Sequence, residues 1–283
     1  MTARRLRSSI PVRIALGIEY DGAGFNGWQT QPDGRSVQDA LERALADIAG
    51  RSVATICAGR TDAGVHALDQ VVHFDTDADR PLTAWVRGVN RFLPPAVAVR
   101  WARAVPAYFH ARFGALVRSY DYWILNDPVR SPLAHDRATW IFRPLDASTM
   151  QQAAQRLVGT HDFTSFRSAE CQAASPVREL RELVVRRHGR WIRLRATANA
   201  FLHHMVRNIA GSLVDVGLGR HPPEWLTDVL TARDRAAAAP TLAAAGLYLA
   251  RVEYDPRFDL PAPGTTLPQG FNANADQDLW TDA

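Results

Sequence analysis

A single carboxylate, Asp62, lies in the segment G-R-T-D-A-G-V-H-A, which runs from Gly59 to Ala67. Gly59 and Gly64 bracket it, and Arg60 precedes it by two residues. Because a nearby cation favours the ionised form of a carboxylate, Asp62 is suited to act as a nucleophile or proton acceptor. The glycines permit close approaches that let such a loop hold a substrate. The alternative is a surface turn with a solvated ion pair, which is common and contributes little.

The segments on either side of this loop have the pattern of two β-strands. Residues 53–57 are largely apolar, and residues 70–74 alternate between polar and apolar side chains. Short runs of this kind, bounded by glycine-containing turns, are typical of strands. We therefore predict strand, tight loop, strand, with Asp62 presented at the loop.

Further periodic segments predict that strands and helices alternate along the rest of the chain. The strand pattern recurs at residues 12–20, 118–125, 177–187, 191–196 and 247–254. Helical periodicity occurs at 36–50, 83–92, 148–158 and 201–216, the first opening on Ser36 as an N-cap.

This order of elements indicates an α+β fold built from two similar mixed α/β halves with largely antiparallel sheets, joined side by side. We place the first half, with the Asp62 loop, at residues 13–110 and the second at 111–255. Residues 1–12 form a basic tail. Residues 256–283 form an acidic tail rich in Pro, Gly and Asp, which we expect to be disordered.

Charge is distributed unevenly along the chain. The formal net charge is +4, but residues 255–283 contain five Asp and one Arg and carry −4, which leaves +8 for residues 1–254. A basic body favours a polyanionic partner such as nucleic acid. All 33 basic residues are arginine, which suits phosphate recognition and base stacking. The absence of lysine can equally reflect codon bias in an Ala- and Arg-rich chain.

Composition also restricts the compartment. Hydrophobic residues make up 47% of the chain, enough for a sizeable core, yet every apolar run is shorter than a membrane span and no signal-peptide pattern opens the sequence. Cys57 and Cys171 cannot form a disulfide framework or a four-ligand zinc site by themselves. We therefore expect a cytoplasmic protein without membrane contact.

Histidine and aspartate residues near Asp62 are metal ligands by type. They are His66, Asp69, His73 and Asp75. Zinc requires three or four converging ligands, whereas these residues straddle a loop and an alternating strand. We therefore predict no metal, and we keep a metal-dependent nuclease as a competing interpretation.

Three other candidates remain open. His203 and His204 lie with Arg207 and Asn208 in the predicted helix at 201–216, either as a polar face near a site or as a solvated stripe. Cys171 has no neighbouring histidine in sequence to activate it, which favours an unreactive thiol.

Aromatic residues interleave with arginine in the second half. Tyr120 and Tyr122 share one face of the strand at 118–125, where a ring can stack on an extruded base. Ordinary core strands also alternate in this way. We expect one ring near a cleft and the other in the core.

Ordered motifs along residues 13–254 resemble those of the tRNA pseudouridine synthase A family. They include Tyr20-Asp21-Gly22, the loop from Gly59 to Ala67, Phe109-His110-Ala111-Arg112, Arg118-x-Tyr120-x-Tyr122, Gly159-x-His161-Asp162-Phe163, Met205-Val206-Arg207 and Gly246-Leu247-Tyr248-Leu249. The chain departs from the family pattern at residues 236–242, where a glycine is expected.

The resemblance implies a function and an assembly. It implies isomerisation of uridine to pseudouridine at positions 38, 39 and 40 of the tRNA anticodon stem-loop. It also implies two halves around a basic central cleft, a homodimer, and no requirement for a metal, redox cofactor or nucleotide. A non-catalytic RNA-binding protein of the same fold is the main alternative.

The resemblance also assigns roles to four residues. Asp62 matches the catalytic aspartate, acting either by nucleophilic attack or by taking a proton from the sugar. Tyr120 matches the tyrosine that packs on uracil, and Arg60 matches the arginine that helps to extract the target nucleotide. Arg207 matches the arginine that pairs with the catalytic carboxylate and keeps it ionised.

Overall fold

The computed structural model of the protein describes residues 11–261, which form one sheet of ten strands with helices packed against it. The basic tail proposed at residues 1–12 and the acidic tail proposed at 256–283 lie mostly outside the described residues. Within the described part, α+β content and a largely antiparallel sheet match the sequence prediction.

The first part of the chain supplies four strands, β1 (Val12–Tyr20), β2 (Ile56–Cys57), β3 (His66–Thr76) and β4 (Val97–Val105). β1 lies between β3 and β4 and is antiparallel to both. The short β2 pairs with β3, so the segment carrying Asp62 is the connection between two adjacent strands, as predicted.

The second part supplies six strands: β5 (Val117–Asn126), β6 (Thr139–Ile141), β7 (Gly159–Asp162), β8 (Val177–His188), β9 (Trp191–Ala198) and β10 (Leu247–Glu253). β9 shows why its sequence forms a strand, because Ile192, Leu194 and Ala196 are buried while the arginines between them are partly exposed.

β10 joins the two sets of strands into one sheet. It is antiparallel to β5 and parallel to β3, with Tyr248 opposite His66 and Leu249 opposite Ala67. The resulting order is β4-β1-β3-β10-β5-β9-β8-β7. β3 begins directly after the Asp62 loop. Because Leu249 of β10 is opposite both Ala67 on β3 and Tyr120 on β5, the sheet places Tyr120 near that loop.

Within the described part of the chain, five α-helices accompany the sheet: α1 (Val37–Ala49), α2 (Val89–Phe92), α3 (Ala147–Gln155), α4 (Met205–Gly217) and α5 (Trp225–Ala232). α1 begins at a capping box formed by Ser36 and Asp39 and ends at Gly50, as its sequence predicts. The helix predicted at 83–92 begins with a π-helical turn at Ala84–Gly88. β4, β6, β7 and α5 were not predicted from the sequence.

The predicted extent of the helix at 201–216 was wrong at its beginning. α4 starts at Met205, and His204 precedes it with φ 63° and ψ 3°, in the left-handed region. His203 and His204 therefore do not lie on the helix with Arg207 and Asn208. A left-handed residue ends helical geometry, and the 3.6-residue periodicity of the sequence does not reveal it. No helix within residues 11–261 is long and apolar enough to cross a membrane.

Candidate active site

The Asp62 loop, the chain before α4 and the start of β5 surround a cleft of about 1170 Å³. Its lining combines aromatic, polar and basic side chains around Asp62. The charged and aromatic members are Trp28, Arg60, Asp62, His110, Arg112, Phe113, Arg118, Tyr120, Glu170, Arg178, Phe201, His203 and His204.

The chain between β1 and α1 supports the Asp62 loop from behind. A Cβ on Gly22 would lie 2.0 Å from the carbonyl oxygen of Val65, and one on Gly27, at φ 87°, would lie 2.7 Å from that of Thr61. The Trp28 amide donates to the Thr61 carbonyl at 2.9 Å. Glycine is needed at both positions because only hydrogen fits between the two backbones.

Buried side chains fix the loop from the β1 and β3 strands. The Tyr20 hydroxyl and the Thr61 Oγ1 are 2.8 Å apart, and the Gln70 Nε2 donates to the Gly59 carbonyl oxygen at 2.6 Å. The Asp62 backbone is therefore held on both sides, and its side chain is 23% exposed toward the cleft.

Arg207 pairs directly with Asp62. Its Nη1 lies 3.0 Å from the Asp62 Oδ2, and its Nε donates to the Leu242 carbonyl oxygen at 2.8 Å. The second bond fixes the plane of the guanidinium, so α4 presents a positioned cation to the carboxylate. The structure thus brings together two residues that are 145 positions apart in sequence.

His203 and His204 complete the surroundings of the carboxylate. The Nε2 of His203 lies 3.3 Å from Oδ1, and that of His204 lies 3.3 Å from Oδ2. Their rings lie 4.0 Å apart between centroids. Burial is the main factor that lowers the pKa of His204; His203 and Arg207 act in the same direction, whereas Asp62 and Glu170 act against it.

Tyr120 lies in the cleft wall and is only 8% exposed. Its ring meets Phe201 edge to face at 5.1 Å, while Tyr122 on the same strand is fully buried and bonded to Thr139 and Ala243. Burial, followed by the charge of Asp62, raises the pKa of the Tyr120 phenol, which therefore stays protonated.

The arginines of the cleft differ in what they can do. Arg60 is exposed and forms no ion pair with another residue in 11–261, so it does not serve as the partner of Asp62. Arg118 is 9% exposed and donates to the carbonyl oxygens of Ala58 and Arg112, which makes it structural. Arg112 is exposed at the cleft beside Phe113.

The four residues near Asp62 considered as metal ligands are bonded elsewhere. His66 accepts from the Gly22 amide, Asp69 from Val252 and His73 from Ala111, and Asp75 pairs with Arg13. In residues 11–261, the ligand atoms that converge within 4.8 Å belong to Asp62, His203 and His204. Arg207 already neutralises this carboxylate, so we interpret the cluster as a paired carboxylate and not as a metal centre.

The sequence alone does not decide whether His203 and His204 lie near a site. One reason is that His203 is held by a contact with Cys171, which is distant in sequence. Cys171 Sγ accepts from the His203 amide at 3.4 Å, a contact that no sequence spacing predicts. Burial acts to raise the pKa of this thiol, but backbone N–H groups of Ala173 and His203 outweigh it and lower the pKa. The HHxxR spacing was the available signal for a polar site at the start of α4.

Most of the chain matches one family of known proteins. The family described as tRNA pseudouridine synthase matches residues 17–114 and 153–255. These ranges include Asp62, His203, His204, Arg207 and the residues of β10 that pair with the strand of Tyr120. Residue 120 itself lies between the two matched ranges.

Several Burkholderia proteins are similar to the chain over most of its length. The proteins from Burkholderia mallei (strain SAVP1), Burkholderia thailandensis and Burkholderia vietnamiensis, each named tRNA pseudouridine synthase A, are 58% identical over 250 residues. The alignments cover 88% of this chain and 93% of each relative. With this identity and coverage, the chain belongs to the tRNA pseudouridine synthase family.

Proposed function

We propose that this protein is an isomerase that converts uridine to pseudouridine in tRNA, acting at positions 38, 39 and 40 of the anticodon stem-loop. Family membership supports the reaction and the substrate. The single observation that carries the site is Asp62, a carboxylate paired with Arg207 at 3.0 Å and open to a cleft that a nucleotide can enter.

The reaction explains why one carboxylate suffices. The N1–C1′ glycosidic bond must break, the uracil must turn, and a C5–C1′ bond must form. The C5 proton is then lost and N1 gains one, so the atoms balance as an isomerisation. Asp62 either attacks the sugar or the base, or takes a proton from the sugar, and Arg207 provides a positioned cation beside it in each case.

Tyr120 and Phe201 provide an apolar wall for the uracil. Both line the cleft with Asp62, and their edge-to-face contact fixes the orientation of the Tyr120 ring. A uracil placed between this wall and Asp62 keeps stacking energy while it rotates. We assign Tyr120 the role of packing on the base.

Arg60 and Arg112 are suited to the RNA backbone. Both are exposed on the cleft lining, and Arg60 is next but one to Asp62. A uridine in a paired stem must leave its stack before its C1′ and C5 can be reached, and this costs a few kcal/mol. We propose that Arg60 supports the extruded nucleotide and that the cleft as a whole is the basic surface for tRNA.

The proposed assembly is a cytoplasmic homodimer. Both cysteines are free, which suits a reducing compartment. Four large hydrophobic side chains are exposed within a short stretch, and the rings of Trp140 and Phe142 lie 6.2 Å apart between centroids, so we propose this stretch as the interface. This exposed segment comprises Val129, Leu133, Trp140 and Phe142.

Mapping of pseudouridine on unmodified tRNA tests the proposal. We expect wild-type protein to form pseudouridine at positions 38–40, and Asp62→Asn to lose at least ~1000-fold in rate, since an amide neither attacks nor accepts a proton. RNA affinity should change little. Asp228→Asn, an exposed position on α5, serves as the matched control and should keep full activity.

Two outcomes would contradict this assignment. Product formation by Asp62→Asn at positions 38–40 would exclude Asp62 as the reacting group. Binding without any product from wild-type protein would leave an RNA-binding protein, and cleaved RNA that depends on added metal would indicate a nuclease.

A further inference from the structure

We propose that His203 and His204 are positioning residues that hold the two oxygens of Asp62 in the orientation required for reaction. This inference rests on the proposed function, because it assigns a role around the same carboxylate. It goes beyond the Arg207 pair, which contacts Oδ2 alone.

Together, the two imidazoles contact both oxygens of the Asp62 carboxylate. His203 Nε2 lies 3.3 Å from Oδ1 and His204 Nε2 lies 3.3 Å from Oδ2, which it shares with Arg207. A carboxylate contacted at one oxygen can turn about its Cβ–Cγ bond. Contacts at both oxygens resist that rotation, and such contacts commonly tighten when substrate fills the site.

The rings also support each other. Their centroids are 4.0 Å apart with a tilt of 39°, so each ring packs against the other on one face. The His203 backbone is bonded on both sides, because its amide donates to the Cys171 Sγ and its carbonyl oxygen accepts from Ser168. The pair is thus attached to the cleft wall opposite the Asp62 loop.

The backbone of His204 gives a second, independent indication. Its φ of 63° is uncommon for a residue with a Cβ. In this conformation the His204 carbonyl oxygen accepts the first α4 bond from Asn208 while the ring faces Asp62. Glycine would adopt this backbone more easily, so the histidine side chain is retained against local preference.

The charge state of His204 fits a positioning role. The charged and titratable groups that face it are Asp62, His203, Arg207 and Glu170, and burial lowers its pKa below the ordinary value. At neutral pH the imidazole is therefore neutral. It can therefore orient the carboxylate without adding a second positive charge beside Arg207. A second positive charge would make the carboxylate less nucleophilic and less basic.

Substitution by glycine separates positioning from structure. His204→Gly removes the ring and relieves the left-handed backbone, so we expect thermal stability to stay equal or rise. We expect kcat on tRNA to fall at least ~10-fold while KM stays within about threefold, because loss of alignment acts on the chemical step. His204→Asn tolerates the same backbone and keeps a donor, so it should recover part of kcat.

Arg233→Gly is the matched control. Arg233 also has positive φ, at 49°, but it follows α5 and lies outside the cleft lining. We expect this variant to gain or keep stability and to retain wild-type kcat. His203→Ala should also lower kcat, and the double variant should lose less than the sum, because both rings act on one carboxylate.

Three results would overturn the inference. They are a kcat of His204→Gly within twofold of wild type, a loss of kcat that parallels a loss of thermal stability, or wild-type activity that is abolished by a chelator. The last would assign the histidines to a metal. Each is distinct from failure of the proposed function, in which wild-type protein itself forms no pseudouridine.

Discussion

At the scale of single residues, Asp62 owes its environment to parts of the chain that are far apart. The loop after β2 supplies the carboxylate, and the start of α4 supplies Arg207 and the two histidines. β5 supplies Tyr120. Because these groups converge only in the folded sheet, an R-x-D motif by itself says little about chemistry.

Tyr120 tests whether the ring or the hydroxyl matters. If stacking is its main role, Tyr120→Phe should retain kcat within about threefold, whereas Tyr120→Ala should lose ~10- to 100-fold, since base stacking on an aromatic ring contributes about 1–3 kcal/mol. Steady-state kinetics on tRNA, with a thermal melt for each variant, provides the measurement. Tyr120→Leu keeps apolar volume and controls for the cavity.

Equal losses in Tyr120→Phe and Tyr120→Ala would shift the role to the hydroxyl group. Burial and the charge of Asp62 raise the pKa of that phenol, so it would then act as a hydrogen-bond donor and not as a base.

At this scale, the resemblance to a family assigns roles to Asp62, Tyr120, Arg60 and Arg207, and these roles stay predictions. The structure places Asp62, Tyr120 and Arg60 on the lining of one cleft, with Arg207 bonded to Asp62. The position of His203 and His204 could not be predicted, because it depends on one left-handed backbone conformation before α4.

At the scale of elements, glycines determine how closely the β1–α1 connection packs behind the Asp62 loop. Gly27→Ala should lower stability by about 1–2 kcal/mol, through its positive φ, and should also lower kcat ~10-fold, because its methyl group would push the Thr61 carbonyl away. Melts and kinetics on the same preparations measure both effects.

Gly50→Ala separates these two effects. Gly50 has a similar φ of 75° but no atom within 4 Å of an added Cβ. Gly50→Ala should therefore lower the stability of the protein and leave kcat unchanged. Equal kcat in both alanine variants would show that the close approach at Gly27 does not position the loop.

Asp69 links β3 to β10 at the centre of the sheet, where its Oδ2 accepts from the Val252 amide at 3.0 Å. Burial raises the pKa of Asp69 to about 6. Because the folded pKa exceeds the ordinary value of 3.8, this group's favourable contribution is present in acid and is lost as pH rises through 6. Asn does not titrate, so Asp69→Asn should be more stable than wild type at pH 8, by about 2–3 kcal/mol at most.

Urea unfolding at pH 5 and pH 8 measures this difference, which should shrink in acid. Asp75→Asn on the same strand gives a control of opposite sign. Its pair with Arg13 lowers the pKa of Asp75, so this variant should lose stability at pH 8 and lose less in acid. A pH-independent effect of Asp69→Asn would refute the assignment.

At the scale of the whole molecule, periodicity predicted most strands and helices, while the arrangement of the sheet required the structure. β4 was missed because Arg100, Arg103 and small alanines interrupt its apolar alternation. α5 was missed because it is only eight residues long. The central place of β10 follows from pairing between distant segments, which local patterns do not encode.

The proposed homodimer can be tested at the exposed segment of Val129, Leu133, Trp140 and Phe142. Leu133 is 88% exposed. Leu133→Asp would bury a charge in an interface and should shift the protein from dimer to monomer, as measured by analytical ultracentrifugation. Leu82→Asp, at another exposed leucine, should remain dimeric. A dimeric Leu133→Asp would exclude this segment as the interface.

The position of β10 has a consequence for synthesis on the ribosome. On the edge of β3 that faces β10, His66 and Ala67 find their partners only when Tyr248 and Leu249 have been made, ~180 residues later. At roughly 5–20 residues per second, that edge waits on the order of 10–40 s. An unpaired edge strand is a template for aggregation, so the nascent chain passes through a vulnerable interval before its sheet can close. The cleft around Asp62 also needs residues of α4 and β10, so chains released before α4 is made carry Asp62 without the group on α4 that pairs with it.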